Sequence, residues 1–180
     1  MPLNCGRMEV FKEFTLPFVG LKYGKHNFSF VIDNKFFKHF EFTDFNDTEL
    51  AGKLVLDKKP SFLELHFAVQ GKASLSCDVS MEWFDHKIDT EFDLIVKFGT
   101  SSENDPDEIL VIPEGSYQIN VAQHFYEMIV LSLPYKRVHP GIKDGTLHSD
   151  ILNKLKELEP KGKKLNGKKD PRWHKLNDLL

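Results

Sequence analysis

The chain has 180 residues, which is enough for one domain and a tail but short for two. Its hydrophobic content of 41% allows a sizeable core, and its 16 phenylalanines predict that aromatic packing dominates that core. No run approaches the roughly 18 apolar residues of a membrane span. We expect neither membrane association nor a signal peptide, because the first residues lack a basic start followed by an apolar run. Two cysteines are too few for a disulfide framework, so we expect reduced thiols and a cytoplasmic protein.

The charge of the chain is unevenly distributed. The formal net charge is −3, but residues 161–180 hold seven basic and two acidic residues, so they carry about +5 and the rest is near −8. This asymmetry predicts that the basic end contacts something anionic. A tail that only keeps the protein in solution is the alternative, and composition does not separate the two.

Alternation of apolar and polar residues predicts a series of strands. The clearest is Phe62–Gln70, after which Gly71 is expected to begin a tight return into a hairpin. Short connections between strands favour antiparallel pairing. The predicted strands are Met8–Pro17, His26–Ile32, Glu49–Asp57, Phe62–Gln70, Lys72–Cys77, Glu82–Ile88, Thr90–Phe98 and Ile109–Ile112.

A wide apolar stripe at helical spacing predicts a helix over Val121–Leu133. Asn120 is expected to cap its start, with Gln123 as the capping-box partner, and Pro134 to end it. Further helices are predicted at Asn34–Glu41, at Asp150–Glu159 and from Asp170 onward.

These elements predict an α+β fold. We expect a largely antiparallel, twisted sheet packed around the central Val121–Leu133 helix, followed by C-terminal helices. Residues 1–146 are predicted to form the β-rich core domain, and residues 147–180 a helical, basic C-terminal extension with a linker at Pro160–Lys169.

The sequence lacks the motifs that would identify an enzyme, such as a nucleophile elbow, a phosphate-binding loop or an HExxH pair. Their absence does not exclude an enzyme, but it leaves no catalytic residue and no cofactor to name. His124 and His139 flank the long helix and, with Cys77, would make a three-ligand metal site. Scattered histidines are the preferred interpretation, because no ligand pair has metal spacing. Ser80 is a poor zinc ligand, so Cys77 is expected to be a small, half-buried strand residue and no metal is expected.

The basic end has the chemistry that nucleic-acid binding needs. Closely spaced lysines neutralise phosphates, Arg172 can donate two hydrogen bonds to one phosphate, and Trp173 offers a stacking plane. In the competing interpretation, Trp173 and Leu176 dock on the body and the lysines are merely solvated. The sequence leaves both open.

Several motifs taken together resemble a known family. They are GL-x-x-G-x-H-x-F at Gly20–Phe28, Cys77-Asp78 after Gly71, Phe98-Gly99 before an acidic loop, IVLSLP-x-K-x-x-H at Ile129–His139, and DPRW-x-x-L at Asp170–Leu176. This combination is similar to the YceD family, the large-subunit ribosomal RNA accumulation proteins, long a domain of unknown function.

The resemblance implies a cytoplasmic, non-enzymatic factor in the accumulation of 23S rRNA and in ribosome biogenesis. Genes of this family often neighbour the gene for a small zinc-ribbon protein of the large ribosomal subunit, which suggests a small ribosomal protein as a partner. Many members carry a second cysteine where this chain has Ser80. A zinc-dependent mechanism is therefore not carried over.

We predict that the protein binds rRNA or a pre-ribosomal particle. The first alternative is a protein-interaction module whose acidic body, through Asp105, Asp107 and Glu108, holds a basic ribosomal protein without RNA contact. The second alternative is a metal-dependent enzyme that uses the three-ligand site named above. The predicted RNA-binding residues are Arg137, His139, Lys161, Lys163, Lys164, Lys168, Lys169, Arg172 and Trp173.

Overall fold

The computed structural model describes residues 12–99, 109–147 and 149–158. It has an α+β arrangement, as the sequence predicts. None of the helices in this described part is long and apolar enough to cross a membrane. The strands are β1 (Thr15–Pro17), β2 (Gly24–Ile32), β3 (Phe45–Lys58), β4 (Phe62–Ser76), β5 (Trp83–Phe98), β6 (Ile109–Ile112) and β7 (Gln118–Asn120). The helices are α1 (Asn34–His39), α2 (Ala122–Leu131), α3 (Pro140–Lys143) and α4 (Asp150–Leu158), and Lys12–Phe14 is a short 3-10 helix.

Five strands form one sheet in the order β2-β3-β4-β5-β6. The first four pair as successive antiparallel neighbours, which confirms the predicted antiparallel pairing. The short strand β6 runs parallel to the end of β5. A separate two-stranded sheet pairs β1 with β7, and this pairing was not predicted.

The large sheet buries one face and exposes the other. Along β4, Leu65, Phe67 and Val69 are buried, whereas His66 and Gln70 are exposed. Because successive side chains of a strand point to opposite faces, this alternation places the core on one side of the sheet. We call the buried side the inner face and the opposite side the outer face.

Helix α2 packs on the inner face. Phe125 is fully buried, and its ring centroid lies 5.2 Å from that of Phe30 and 5.1 Å from that of Phe67. Gly52 on β3 leaves room for this ring, since an added Cβ would lie 3.0 Å from a ring carbon of Phe125. The aromatic core that the phenylalanine content predicts is therefore built partly between α2 and the middle of the sheet.

The two ends of α2 agree only partly with the prediction. Asn120 Oδ1 accepts a hydrogen bond from the backbone N–H of Ala122 (3.0 Å), but the N-cap residue is Val121, which makes no side-chain cap bond, so the predicted cap is placed one residue early. Gln123 was predicted as the capping-box partner, and this is wrong: its Nε2 donates to Glu127 one turn later, at 2.8 Å. The helix ends at Leu131. That the whole sheet is organised around this helix stays a prediction.

A second aromatic cluster joins α1 to β3 and α2. Phe40 stacks on Tyr126 with a centroid distance of 4.2 Å, and Phe37 meets Phe45 edge-on at 4.7 Å. Helix α1 begins where the sequence predicts because the side chain of Asp33 accepts hydrogen bonds from two backbone N–H groups of the first turn. This short helix is thus held by a cap at one end and by stacking at the other.

The hairpin predicted at Gly71 is wrong. Strand β4 runs from Phe62 to Ser76 without a return. Gly71 has a φ of +154°, and an added Cβ would lie 2.2 Å from the carbonyl oxygen of Glu49. The glycine therefore allows β3 and β4 to approach closely and does not turn the chain. The two strands predicted over Glu82–Phe98 likewise form one strand, β5.

Both ends of the chain are described only in part. Of the predicted first strand, Thr15–Pro17 is a strand and the three residues before it form the 3-10 helix. Helix α4 is confirmed, with the hydroxyl of Ser149 accepting from the N–H of Ile151 at 3.3 Å. The predicted linker and last helix lie outside the described residues, and the division into two units at residue 146 stays a prediction.

Candidate functional site

Two of the predicted RNA-binding residues, Arg137 and His139, lie in the described part of the chain, on the loop between α2 and α3. We call residues 135–139 the 135–139 loop. The other predicted residues lie outside the described residues, and they are Lys161, Lys163, Lys164, Lys168, Lys169, Arg172 and Trp173.

The turn after β4 centres on the sulfur of Cys77. The backbone N–H groups of Val79 and Ser80 donate to Cys77 Sγ, at 3.4 and 3.5 Å. The carbonyl of Cys77 accepts from the N–H of Met81 at 3.0 Å, and its N–H donates to the carbonyl of Glu82 at 2.9 Å. Cys77 is fully buried and follows the end of the strand, so the prediction of a half-buried strand residue is wrong.

The 135–139 loop is fastened to this turn by three hydrogen bonds. The backbone N–H of His139 donates to Cys77 Sγ at 3.2 Å. The N–H of Asp78 donates to the carbonyl of Arg137 at 2.8 Å, and the N–H of Arg137 returns a bond to the carboxylate of Asp78 at 2.7 Å. The loop therefore has a fixed backbone even though it carries no regular secondary structure.

The hydrogen bonds at the turn also set the acidity of the thiol. Burial of Cys77 raises its pKa, but the hydrogen bonds that Cys77 Sγ accepts from the backbone N–H groups of Ser80, His139 and Val79 outweigh burial. The net result is a pKa below the ordinary thiol value, because these donors stabilise the thiolate.

The side chains of Arg137 and His139 both make contacts within the protein. Nη2 of Arg137 donates to Oδ2 of Asp44 at 2.7 Å. Nδ1 of His139 accepts from the N–H of Gly141 at 2.9 Å and caps α3, and its ring lies edge-on to Phe84. Both residues are thus part of the loop's support, and their contact with RNA stays a prediction.

The proposed three-ligand metal site is not assembled. His139 reaches Cys77 through its backbone, while His124 lies on α2 with its ring edge-on to Phe67. Burial lowers the pKa of His124, and the nearby carboxylate of Glu127 opposes this effect. Within the ranges that the structure describes, no group of three or more histidine, cysteine, aspartate or glutamate side chains could hold a metal ion.

Sequence reasoning missed the most exposed members of the loop. Tyr135 is 105% exposed relative to the reference for its residue type, and Lys136 beside it is also exposed. An aromatic ring next to a cation on a fixed backbone can stack on a base and neutralise a phosphate. The signal was present in the sequence, because both residues directly precede Arg137.

Comparison with known proteins finds one family. A family model described as large ribosomal RNA subunit accumulation protein YceD matches residues 65–180, more than half of the chain. The matched span contains the Cys77 turn, the 135–139 loop and the basic end. No curated protein sequence and no solved structure matches the chain.

Proposed function

The chain belongs to the YceD family of large ribosomal RNA subunit accumulation proteins, and from this membership we propose that it acts in ribosome biogenesis by binding 23S rRNA or a pre-ribosomal particle. The proposal assigns binding and not catalysis to the protein, without a cofactor and in the cytoplasm. The family name describes an effect on the amount of one RNA, and direct contact with that RNA is the simplest physical route to such an effect.

One observation carries the proposal. The family match extends to residue 180, so it includes both the 135–139 loop and the basic residues 161–180. The loop offers Tyr135 and Lys136 on a backbone held by the Cys77 turn. The basic end adds seven cations and Trp173. The cations would neutralise phosphates, and an unpaired base would stack on the ring of Tyr135 or Trp173. Proteins bind single-stranded RNA in this way.

The test is a salt titration of binding between the full chain and transcribed domains of 23S rRNA. A variant with the lysines of 161–169 changed to glutamine should bind less tightly, and the slope of log K against log salt should fall by about 0.7–0.9 for each phosphate that the variant no longer neutralises. The substituted positions are Lys161, Lys163, Lys164, Lys168 and Lys169.

A matched control removes the same charge from the folded body. Its five substitutions to glutamine are at exposed lysines, namely Lys35, Lys38, Lys53, Lys72 and Lys97. This control should keep the salt slope of the unmodified protein. If both variants lose equal affinity, net charge alone governs binding; if neither loses affinity, the basic end has no part in binding.

A Tyr135→Ala variant should weaken binding with an unchanged slope, because stacking carries no counterion release.

The acidity of the body supports a second candidate function. Outside residues 161–180 the chain is near −8, which would suit a basic partner such as a small protein of the large ribosomal subunit. Asp105, Asp107 and Glu108, the residues first considered for this contact, lie outside the described residues. Capture of ribosomal proteins that survives nuclease treatment, together with absent rRNA binding, would favour this candidate.

A further inference from the structure

The outer face of β5 carries a row of carboxylates. Every second residue of this strand points to the outer face, and four of these positions between Trp83 and Lys97 are acidic. All four are exposed, and one lysine, Lys87, stands among them. We call these four the acidic row, and its members are Asp85, Asp89, Glu91 and Asp93.

The folded protein neutralises only part of this row. Asp89 lies 3.2 Å from the ammonium of Lys87, and Asp93 is paired with His66 on β4. Within the described part of the chain, Asp85 and Glu91 have no ion-pair partner. With Lys72 of β4 directly opposite Lys87, the surface has four carboxylates against two lysines and keeps an excess of negative charge.

The surface around the row is also without a covering element among the described residues. Strand β6 pairs only with Ile95–Phe98, so the rest of that edge of β5 has no neighbouring strand there. Trp83 at the beginning of the strand is 49% exposed. A groove of about 450 Å³ opens on the outer face beside Asp93, and its other charged lining residues are Asp57, Glu64 and Lys25. An unpaired strand edge can pair with another segment of chain, and exposed tryptophans are enriched in protein interfaces.

We propose that the chain's own basic segment, residues 161–169, docks on the acidic row, and that rRNA competes with the row for this segment. The competition rests on the proposed function, in which the same lysines bind RNA. The docking itself does not.

Charge and length both fit this occupant. The segment has five lysines and no acidic residue. Nine extended residues span roughly 30 Å, and the distance along β5 from Asp85 to Asp93 is about 27 Å at the rise of a strand. Lysines placed along the row would meet Asp85 and Glu91, and the indole of Trp83 would accept a cation over its face.

The segment is tethered to the fold that carries the row. The ring of His139 lies edge-on to Phe84, with 5.6 Å between centroids, so the chain enters α3 beside the start of β5, on the inner face opposite the row. Helix α4 then ends at Leu158, three residues before the segment. Tethering within one chain gives an effective concentration on the order of millimolar, enough for weak exposed ion pairs to hold the segment.

Docking makes the protein a competitor for its own RNA-binding residues. If half to nine tenths of the molecules hold the segment on the row, the apparent Kd for RNA is raised about 2- to 10-fold over that of the undocked form. The lysines of residues 161–169 thus contact the carboxylates of the acidic row until RNA phosphates replace those carboxylates.

The test is carboxyl–amine crosslinking of the full chain with a zero-length carbodiimide, followed by peptide mass spectrometry of the monomer. We expect links from the lysines of 161–169 to the acidic row, in preference to other carboxylates. Their yield should fall several-fold between about 50 mM and 1 M salt, where the screening length shortens to about 3 Å. Addition of a 23S rRNA domain should also reduce it.

An isosteric variant, Asp85→Asn with Glu91→Gln, removes the two carboxylates of the row that have no ion pair within the described residues. Links to Asp89 and Asp93 should then fall several-fold, and affinity for the rRNA domain should rise about 2- to 10-fold. The control, Glu13→Gln with Glu114→Gln, removes the same charge from exposed residues off the outer face and should change neither value.

Three results would overturn the docking: lysine links spread evenly over all carboxylates, links found only between two copies of the chain, or an Asp85→Asn and Glu91→Gln variant that behaves like the control. The proposed function fails separately. Row-specific links in a protein that binds no rRNA would leave the docking standing without it. Lysine-dependent rRNA binding without row-specific links would support the proposed function and rule out the docking.

Discussion

The guanidinium of Arg137 donates to the carboxylate of Asp44 across 93 residues of chain, with 2.7 Å between Nη2 and Oδ2. The bond ties the loop after α2 to the segment between α1 and β3. Of the two arginines predicted to bind RNA, Arg137 is the one in the described part of the chain. Its positive charge is already matched by the carboxylate of Asp44. This contact has consequences for both stability and RNA binding.

A double-mutant cycle with Arg137→Gln and Asp44→Asn should show a coupling of about 0.5–1 kcal/mol in urea unfolding, because the side chains are 24% and 44% exposed and solvent screens the pair. A cycle on the more exposed pair Lys87 and Asp89 provides the control and should show a smaller coupling energy.

If Arg137 also contacts RNA, Asp44→Asn should strengthen rRNA binding and Arg137→Gln should weaken it. Equal RNA affinity in all variants would make Arg137 a structural residue only.

Gly71→Ala should destabilise the protein by about 3 kcal/mol, since the new Cβ would meet the Glu49 carbonyl oxygen at 2.2 Å and φ is +154°. Gly24→Ala separates the two causes, because its φ is +114° but nothing lies within 4 Å of the added Cβ. It should cost about 1 kcal/mol. Gly20→Ala, with open space and no positive φ, should be nearly neutral. Equal destabilisation at Gly71 and Gly24 would show that the close approach of β3 and β4 contributes nothing.

Gly71 also shows where sequence reasoning reached its limit. Alternation along β4 predicted which residues are buried, because burial follows directly from the period of two. A glycine within the pattern was interpreted as a turn, since a turn and a close backbone approach need the same residue type. Only the position of Glu49 on the neighbouring strand distinguishes them, and that position depends on the register between β3 and β4.

The candidate site was predictable in a similar, partial way. The motif residues Cys77, Asp78 and His139 and the predicted RNA-binding residue Arg137 were recognised, but their contacts join parts of the chain about 60 residues apart. Three of these contacts involve backbone groups, which carry no signature of residue type. The acidic row was hidden for another reason: β5 was predicted as two strands, so its carboxylates did not fall on one continuous face.

The Cys77 turn predicts a pH dependence of stability. The pKa of this thiol is lower in the folded protein than the roughly 8–9 of a free thiol. A group with a depressed pKa in the folded state contributes stability that is full above its unfolded pKa and is lost as the pH falls through its folded pKa. The free energy of unfolding should therefore rise with pH on the alkaline side of neutrality, with a slope of at most about 1.4 kcal/mol per pH unit for one proton.

The measurement compares urea unfolding of a Cys5→Ser variant, in which Cys77 is the one remaining thiol, with a Cys5→Ser and Cys77→Ser variant. The hydroxyl of the second variant does not titrate in this range, so the difference in unfolding free energy between the two isolates the thiol at position 77. That difference should favour the thiol increasingly as the pH rises. A difference that stays flat, or that falls with pH, would mean that burial dominates the hydrogen bonds and that the thiol stays protonated in the turn.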